Sequence, residues 1–409
     1  MDFADPPHVA ALRDELRAWL RDNLPPEWSA DGARDPALAA EVAAGWRDRL
    51  RAGRWLGATW PVEYGGRNLD LLEVAAMNEE FARAGAPEGD DDLGEVLVGP
   101  TLLVWGTDDQ KARYLPAILA GEATWCQGFS EPDAGSDLAS LRTRAVRDGD
   151  GWSITGQKVW TSHAHASQHM ILLARTDPGA SKHAGITYFL LDMDQPGVRV
   201  RPLIRIDGSP EFSEVFFDDA RCADADVLGP VNEGWRVANT TLQHERGASA
   251  ASDYWRFLHE WQHACRIAAD HGRLHEPVVR DLLAKAYTTV QVMRCNGSRL
   301  LTKAARDDHG DEANALAMIT KLHWTEYHQA FTTAMVDMPG LEGLLLTGEG
   351  ATTHPGGVGR GVGSERYPVS RVQADFFFAR AETIWGGTSQ IQRNLIAERV
   401  LGLPREPKP

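Results

Sequence analysis

Cys126-Gln127-Gly128-Phe129-Ser130-Glu131-Pro132-Asp133-Ala134-Gly135-Ser136-Asp137-Leu138 is the stretch around which the chain is organised. It opens extended and half-apolar, then breaks at Glu131-Pro132 into a turn-rich segment. The Ser130 and Ser136 hydroxyls and several free backbone N–H groups therefore converge where a strand ends, which suits a polar ring with an anionic tail. Further on, Gly156-Gln157-Lys158-Val159-Trp160-Thr161-Ser162 sets a large aromatic beside two more hydroxyls. A third stretch, Ile384-Trp385-Gly386-Gly387-Thr388-Ser389-Gln390-Ile391-Gln392-Arg393-Asn394, stands near the C-terminus.

Upstream of the first stretch the apolar spacing is helical. Leu12, Leu16, Trp19 and Leu20 share a face, and Pro25-Pro26 ends that helix. Asp35-Pro36 reads as a cap and first turn, with Trp46 and Leu50 inside and Gly53 closing the helix. Asp70 caps a third helix, and Asp108 a fourth that runs to Gly121.

From Thr124 the period falls to two. A hairpin is expected from 142–147 and 152–155 across Asp148-Gly149-Asp150-Gly151, with further strands at 170–175, 186–192, 198–203 and 214–218. Six or seven short strands imply a small barrel or sandwich. After Gly229-Pro230 the helical period returns, with long helices expected at 235–269, 277–306 and 311–338 and a last one from near Thr388 to Gly402. The stretch 347–366 is dense in glycine and has no period.

The chain is thus α+β: an N-terminal helical domain over 1–121, a middle β domain over 122–230 and a C-terminal helical bundle over 231–409. At 409 residues, two or three domains are the natural division. A 43% hydrophobic and 24% charged composition is that of an ordinary globular protein. The net charge of -16 offers no general phosphate-neutralising surface, which argues against nucleic acid. Four scattered cysteines, Cys126, Cys222, Cys265 and Cys295, read as free thiols of a reducing compartment. No apolar run approaches the ~20 residues of a membrane span, and Met-Asp-Phe-Ala-Asp-Pro-Pro is not a signal peptide, so a cytoplasmic protein is expected. No clustered His, Cys and carboxylate pattern points to a metal.

The three stretches, in this order, resemble the acyl-CoA dehydrogenases over essentially the whole chain. The resemblance implies FAD, an acyl-CoA substrate, an electron-transferring flavoprotein as acceptor, and a homo- or hetero-oligomer. By position in the motifs it assigns Gln127, Phe129, Ser130, Trp160, Ser162, Thr388 and Gln390 to the cofactor, and Ser136 to the coenzyme A moiety. Trp160 alone would as readily be a core residue; its motif neighbours favour the flavin.

At the base the chain departs from the pattern. Many members carry a glutamate immediately before Gly-Thr-Ser, where this chain has Gly386. Other members place a glutamate before an arginine on a long helix, and Leu242-Gln243-His244-Glu245-Arg246 matches that arrangement. Glu245 is therefore the candidate base, with Arg246 beside the substrate. An arbitrary Glu-Arg pair on a helix is ordinarily solvated; the motif position and the lost carboxylate at 386 outweigh that. The Gly386 N–H remains able to donate to a thioester oxygen.

Gly272-Arg273-Leu274-His275-Glu276-Pro277 and Pro355-Gly356-Gly357-Val358-Gly359-Arg360-Gly361 replace stretches with which relatives complete a neighbouring subunit's flavin site. That is expected of members built from two different subunits. Two other readings keep the scaffold: a companion subunit that completes an active partner, and a flavin-dependent oxidase or monooxygenase.

Overall fold

The computed structural model describes residues 5–28, 36–87, 93–247, 254–304, 306, 311–345 and 369–405. Helices α1 (Pro7–Asn23), α2 (Pro36–Ala44), α3 (Trp46–Ala52), α4 (Leu71–Arg83), α5 (Gly99–Trp105) and α6 (Asp108–Ala120) come first. Seven strands follow: β1 (Trp125–Gly128), β2 (Arg144–Asp148), β3 (Gly151–Ser162), β4 (His169–Arg175), β5 (Ile186–Asp192), β6 (Val198–Leu203) and β7 (Phe212–Ala223). The C-terminal helices are α7 (Gly234–Gly247), α8 (Tyr254–Asp270), α9 (Pro277–Ala304), α10 (Asp311–Asp337), α11 (Arg371–Glu382) and α12 (Ser389–Leu395).

In space the chain divides into two compact units, one of Arg47–Asn68 and Gly89–Glu245, the other of Met1–Trp46, Leu69–Glu88 and Arg246–Pro409.

In the first unit the strands form one sheet in the order β1-β4-β2-β3-β7-β6, with β5 added to β4. β1 and β4 are parallel, whereas β2–β3, β3–β7, β6–β7 and β4–β5 are antiparallel. A single residue pair, Arg144 with Arg175, joins β2 to β4, so the sheet folds over at that point. Its two limbs share a core of Cys126, Ile154, Met170, Leu172, Phe189, Val215 and Phe217. The alternate residues of β4 and β5, Ile171, Leu173, Ile186, Tyr188 and Leu190, face a second core made with Leu102 of α5, Leu115 and Ile118 of α6 and Val237 and Ala238 of α7. Burial of both faces explains why these two strands are almost wholly apolar.

Hydroxyls fix α7 inside this unit. Thr241 Oγ1 lies 3.0 Å from Thr101 Oγ1 and 3.1 Å from the Tyr188 hydroxyl, and Trp105 donates to Thr240 Oγ1 at 2.9 Å.

In the second unit α1 packs on α4 through ion pairs of Arg13 and Arg17 with Glu80. Helices α8, α9 and α10 enclose Ala264, Ala268, Leu283, Phe331 and Met335.

The expected elements differ from the observed ones in places. Thr107, not Asp108, caps α6, because its side chain and that of Gln110 form a capping box. The Asp70 cap stands as expected, with Glu73 completing its own box. Gly45 divides what reads as one helix into α2 and α3, and Asp35 lies outside the described residues. The expected helix at 235–269 is α7 and α8, with 248–253 between them outside the described residues. β3 and β7 run to twelve residues each, longer than their apolar alternation implies. α5 and α11 escape the periodicity reading: α5 opens Gly-Pro and is apolar but for Thr101, and α11 carries three phenylalanines in a row at 376–378. The aperiodic stretch 347–366, including 355–361, lies outside the described residues.

Candidate active site

One buried ion pair joins the first two sequence motifs. Lys158, on β3, is wholly buried and donates to the Glu131 carboxylate at 2.9 Å and to the Phe129 carbonyl at 2.9 Å. Glu131 also accepts from the N–H groups of Arg142, at 2.6 Å, and Thr143, at 2.9 Å. Val159 donates to the Ser130 carbonyl at 3.0 Å. Burial pulls the Lys158 ammonium down to about 8, partly offset by the Glu131 charge. Burial works the other way on Glu131, but Lys158 and the surrounding donors outweigh it and hold the carboxyl below its usual range. Both residues are in the motifs, yet the reading of the motifs gives them no role. The visible signal is a lysine inside a strand, followed by Val159 and Trp160.

Just past Lys158 the β3–β7 register shifts, between Lys158 and Thr161. Trp160 sits in this bulge with φ of +60° and is 63% exposed, its ring edge-on to Phe212. A tryptophan is costly in that backbone conformation, and bulges turn side chains out of a sheet's alternation. Ser162 is half-buried opposite Phe212. Three buried polar atoms of this sheet have no partner among the described residues: Thr161 Oγ1 and Ser213 Oγ beside Ser162, and Gln127 Nε2 on β1. Thr161 and Ser213 are directly paired across β3 and β7. Thr161 is one of the two hydroxyls that the second motif shows, whereas Ser213 carries no sequence signal.

The Phe129 ring is taken up by packing and its carbonyl by Lys158. Its side chain is buried in the helix-facing core, edge-on to Tyr188 at 5.9 Å, where the alternation places it. Ser130 is half-buried and Ser136 is exposed on the turn beyond. That turn is tied by Asp137 and Lys182, 2.6 Å apart, to the loop between β4 and β5. The same loop and the start of α7 line an open cleft of about 310 Å³ containing His183, Asn232, Trp235 and Arg236.

The third motif belongs to the other unit. Thr388 caps α12, accepting the Ile391 N–H at 3.1 Å, and Gln390 is exposed in the first helical turn. Ser389 Oγ is buried with no partner among the described residues. Gly386 and Gly387 have φ of +62° and +96°. Their N–H groups meet no protein acceptor among the described residues. A glutamate at 386 in this backbone would be strained by roughly 1–2 kcal/mol.

Glu245 and Arg246 fall in the last turn of α7, four and five residues beyond Thr241. Their side chains lie outside the described residues. Among the described residues no group of His, Cys, Asp and Glu is arranged to hold a metal ion, and no helix is long and apolar enough to cross a membrane.

Comparison with known proteins matches the acyl-CoA dehydrogenase N-terminal domain to residues 6–122, the middle domain to 126–220 and the C-terminal domain to 232–401. The acyl-CoA dehydrogenase IpdE1 of Mycobacterium tuberculosis is 42% identical over 98% of this chain and 99% of its own. The chain belongs to the acyl-CoA dehydrogenase family. It is thus an oxidoreductase of that class, with the family's helical, β half-barrel and helical plan. Among solved structures, the Tcur3481–Tcur3483 steroid ACAD is similar at a TM-score of 0.78 and 31% identity, over 99% of this chain and 100% of that one. The ChsE4–ChsE5 complex from Mycobacterium tuberculosis follows at 0.76 and 29%, over 99% and 100%. Acyl-CoA dehydrogenases are typically FAD-dependent. The partnerless Gln127 amide, the Thr161 and Ser213 hydroxyls and the outward Trp160 ring fit a flavin's polar edge and aromatic face.

Proposed function

We propose that this chain binds FAD non-covalently and removes two hydrogens from an acyl-CoA thioester to give the trans-2-enoyl-CoA, the electrons passing to an electron-transferring flavoprotein. The observation that carries the reading is the clamp of Glu131 and Lys158, which holds a partnerless set of polar groups beside an outward tryptophan. Gln127, Ser130, Trp160, Ser162, Thr388 and Gln390 hold the cofactor in this reading, Phe129 through its backbone. When bound, FAD supplies the acceptor for the hydride that leaves the β-carbon.

Glu245 takes the proton from the α-carbon as the double bond forms, and Arg246 orients the substrate beside it. The Gly386 N–H donates to the thioester oxygen, where negative charge accumulates. Ser136 and the neighbouring cleft receive the polar end of coenzyme A. The domains of this plan are 1–121, 122–230 and 231–409.

The class of acyl group favoured is bulky and polycyclic, since the 31% identical Tcur3481–Tcur3483 protein is a steroid ACAD. A two-chain assembly is favoured for the same reason, together with the altered 272–277 segment. The test is a panel of straight-chain, branched and steroid acyl-CoA thioesters, given to the purified chain alone and with its co-purifying partner. Loss of two hydrogens by mass, with bleaching of the flavin, is expected for the steroid thioester. Turnover of none of them, or turnover with oxygen consumption and peroxide release, contradicts the reading.

A further inference from the structure

Lys321, on α10, is in none of the sequence motifs. Its ammonium donates to three backbone carbonyls at once: Glu382 at 2.7 Å, Trp385 at 2.7 Å and Gly387 at 2.8 Å. The first closes α11, and the other two flank Gly386. Carbonyls at a helix C-terminus lack intrahelical partners, and a cation there is favoured by the helix dipole.

Further supports converge on the same turn. Seven residues along α10, His328 is wholly buried and bonds the Glu382 carboxylate at 2.5 Å, with Glu260 on its other nitrogen at 3.2 Å. Arg256 adds a contact to Glu382 at 3.6 Å. The remaining carbonyl, that of Gly386, accepts from Gln392 Nε2 at 3.2 Å. The turn thus has its backbone acceptors fixed by side chains from α10 and α12.

Peptide geometry turns those contacts into a direction. In a trans peptide the C=O and the following N–H point to opposite sides. A Trp385 carbonyl held on the Lys321 ammonium therefore aims the Gly386 N–H away from α10, and that N–H has no protein acceptor among the described residues. The left-handed backbone at Gly386 and Gly387 lets two successive peptides adopt this arrangement.

We propose that Lys321 is a positioning residue for the reaction: by gripping the carbonyls on either side of Gly386 it aims that N–H at the thioester oxygen. This rests on the reading of Gly386 as the oxygen's donor. A misaligned donor forfeits stabilisation of the charge that develops on that oxygen and leaves most ground-state binding untouched.

The test uses the FAD-loaded protein, assembled with its partner, and a bound non-reacting acyl-CoA whose thioester C=O stretch is read by difference infrared spectroscopy. In the wild type the stretch moves to lower frequency than in water. Lys321→Met is expected to lose most of that displacement and to lower kcat about tenfold or more, with KM changed less than about threefold and FAD content unchanged. Lys321→Arg, which keeps the charge and several donors, recovers part of both. Wild-type displacement and kcat in a folded Lys321→Met protein overturn the proposal. Should Lys321→Met not fold, Lys321→Gln is read instead; an intermediate displacement supports the proposal and an unchanged one overturns it. No displacement in the wild type itself removes the Gly386 donor reading, and the positioning role with it.

Discussion

At the scale of single residues, the Lys158–Glu131 pair deserves more weight than the surface ion pairs of this chain. Both partners are buried, so removing one leaves the other's charge without its main compensation. Lys158→Met is expected to cost about 3–5 kcal/mol and to release FAD from the folded remainder. The double variant Lys158→Met, Glu131→Gln should recover part of the melting temperature, because no buried charge is then stranded. Thermal melts with absorbance-monitored FAD retention check both; a single variant that melts and binds FAD as the wild type does contradicts the clamp. Residue types and spacing alone bring out the cofactor-side hydroxyls and Trp160. They do not bring out Lys158, Ser213 or Lys321, whose importance comes from burial and from partners distant in sequence.

At the scale of elements, the proposed roles of Glu245 and Gly386 depend on α7 and on the α10–α11 contact respectively. The Thr101–Thr241–Tyr188 hydroxyl chain sets α7 in its unit one turn before Glu245. Thr241→Val strands the buried Tyr188 hydroxyl, whereas Thr101 keeps its bond to the Leu97 carbonyl, and is expected to cost about 1–3 kcal/mol in a urea titration. The α10–α11 contact titrates. Burial alone would push His328 down, but the Glu260 and Glu382 carboxylates outweigh it and raise the imidazole to about 9 from an ordinary 6.5. A raised pKa means stability that is fully present below 6.5 and is lost as pH rises through about 9. Lys158 has the opposite sign, its pKa being lowered from 10.5 to about 8, so the difference between proteins is the clean reading. The melting temperature of the wild type should fall between pH 6.5 and 9 by on the order of 3–5 °C more than that of His328→Gln. Parallel pH profiles would contradict the assignment. Legibility follows the same physics at this scale: elements with a one-sided apolar face or a capping box, such as α1, α4 and α6, can be read directly. α5, apolar but for Thr101, and phenylalanine-dense α11 show no polar face to set the period, and in α11 the Ser370–Gln373 capping box alone does not reveal the helix.

At the scale of the whole molecule, the three-part plan is legible because each part changes the hydrophobic period, from 3.6 to 2 and back. The division of the chain into two spatial units is not, since it depends on α4 and the segment before it being shared between helical partners far apart in sequence. Assembly is the remaining property of this scale. Co-expression with a candidate companion chain of the same family should yield a mixed oligomer with fewer FAD than chains, read by native mass spectrometry; a fully active homo-oligomer with one FAD per chain contradicts it. In such an assembly we assign the base to this chain. The direct measurement is single-turnover flavin reduction by the preferred acyl-CoA in the assembled enzyme, with Glu245→Gln in this chain and the companion left wild type. Reduction slowed at least ~100-fold, with FAD and acyl-CoA binding nearly intact, is the predicted result. Reduction at the wild-type rate would contradict it and move the base to another residue or to the companion.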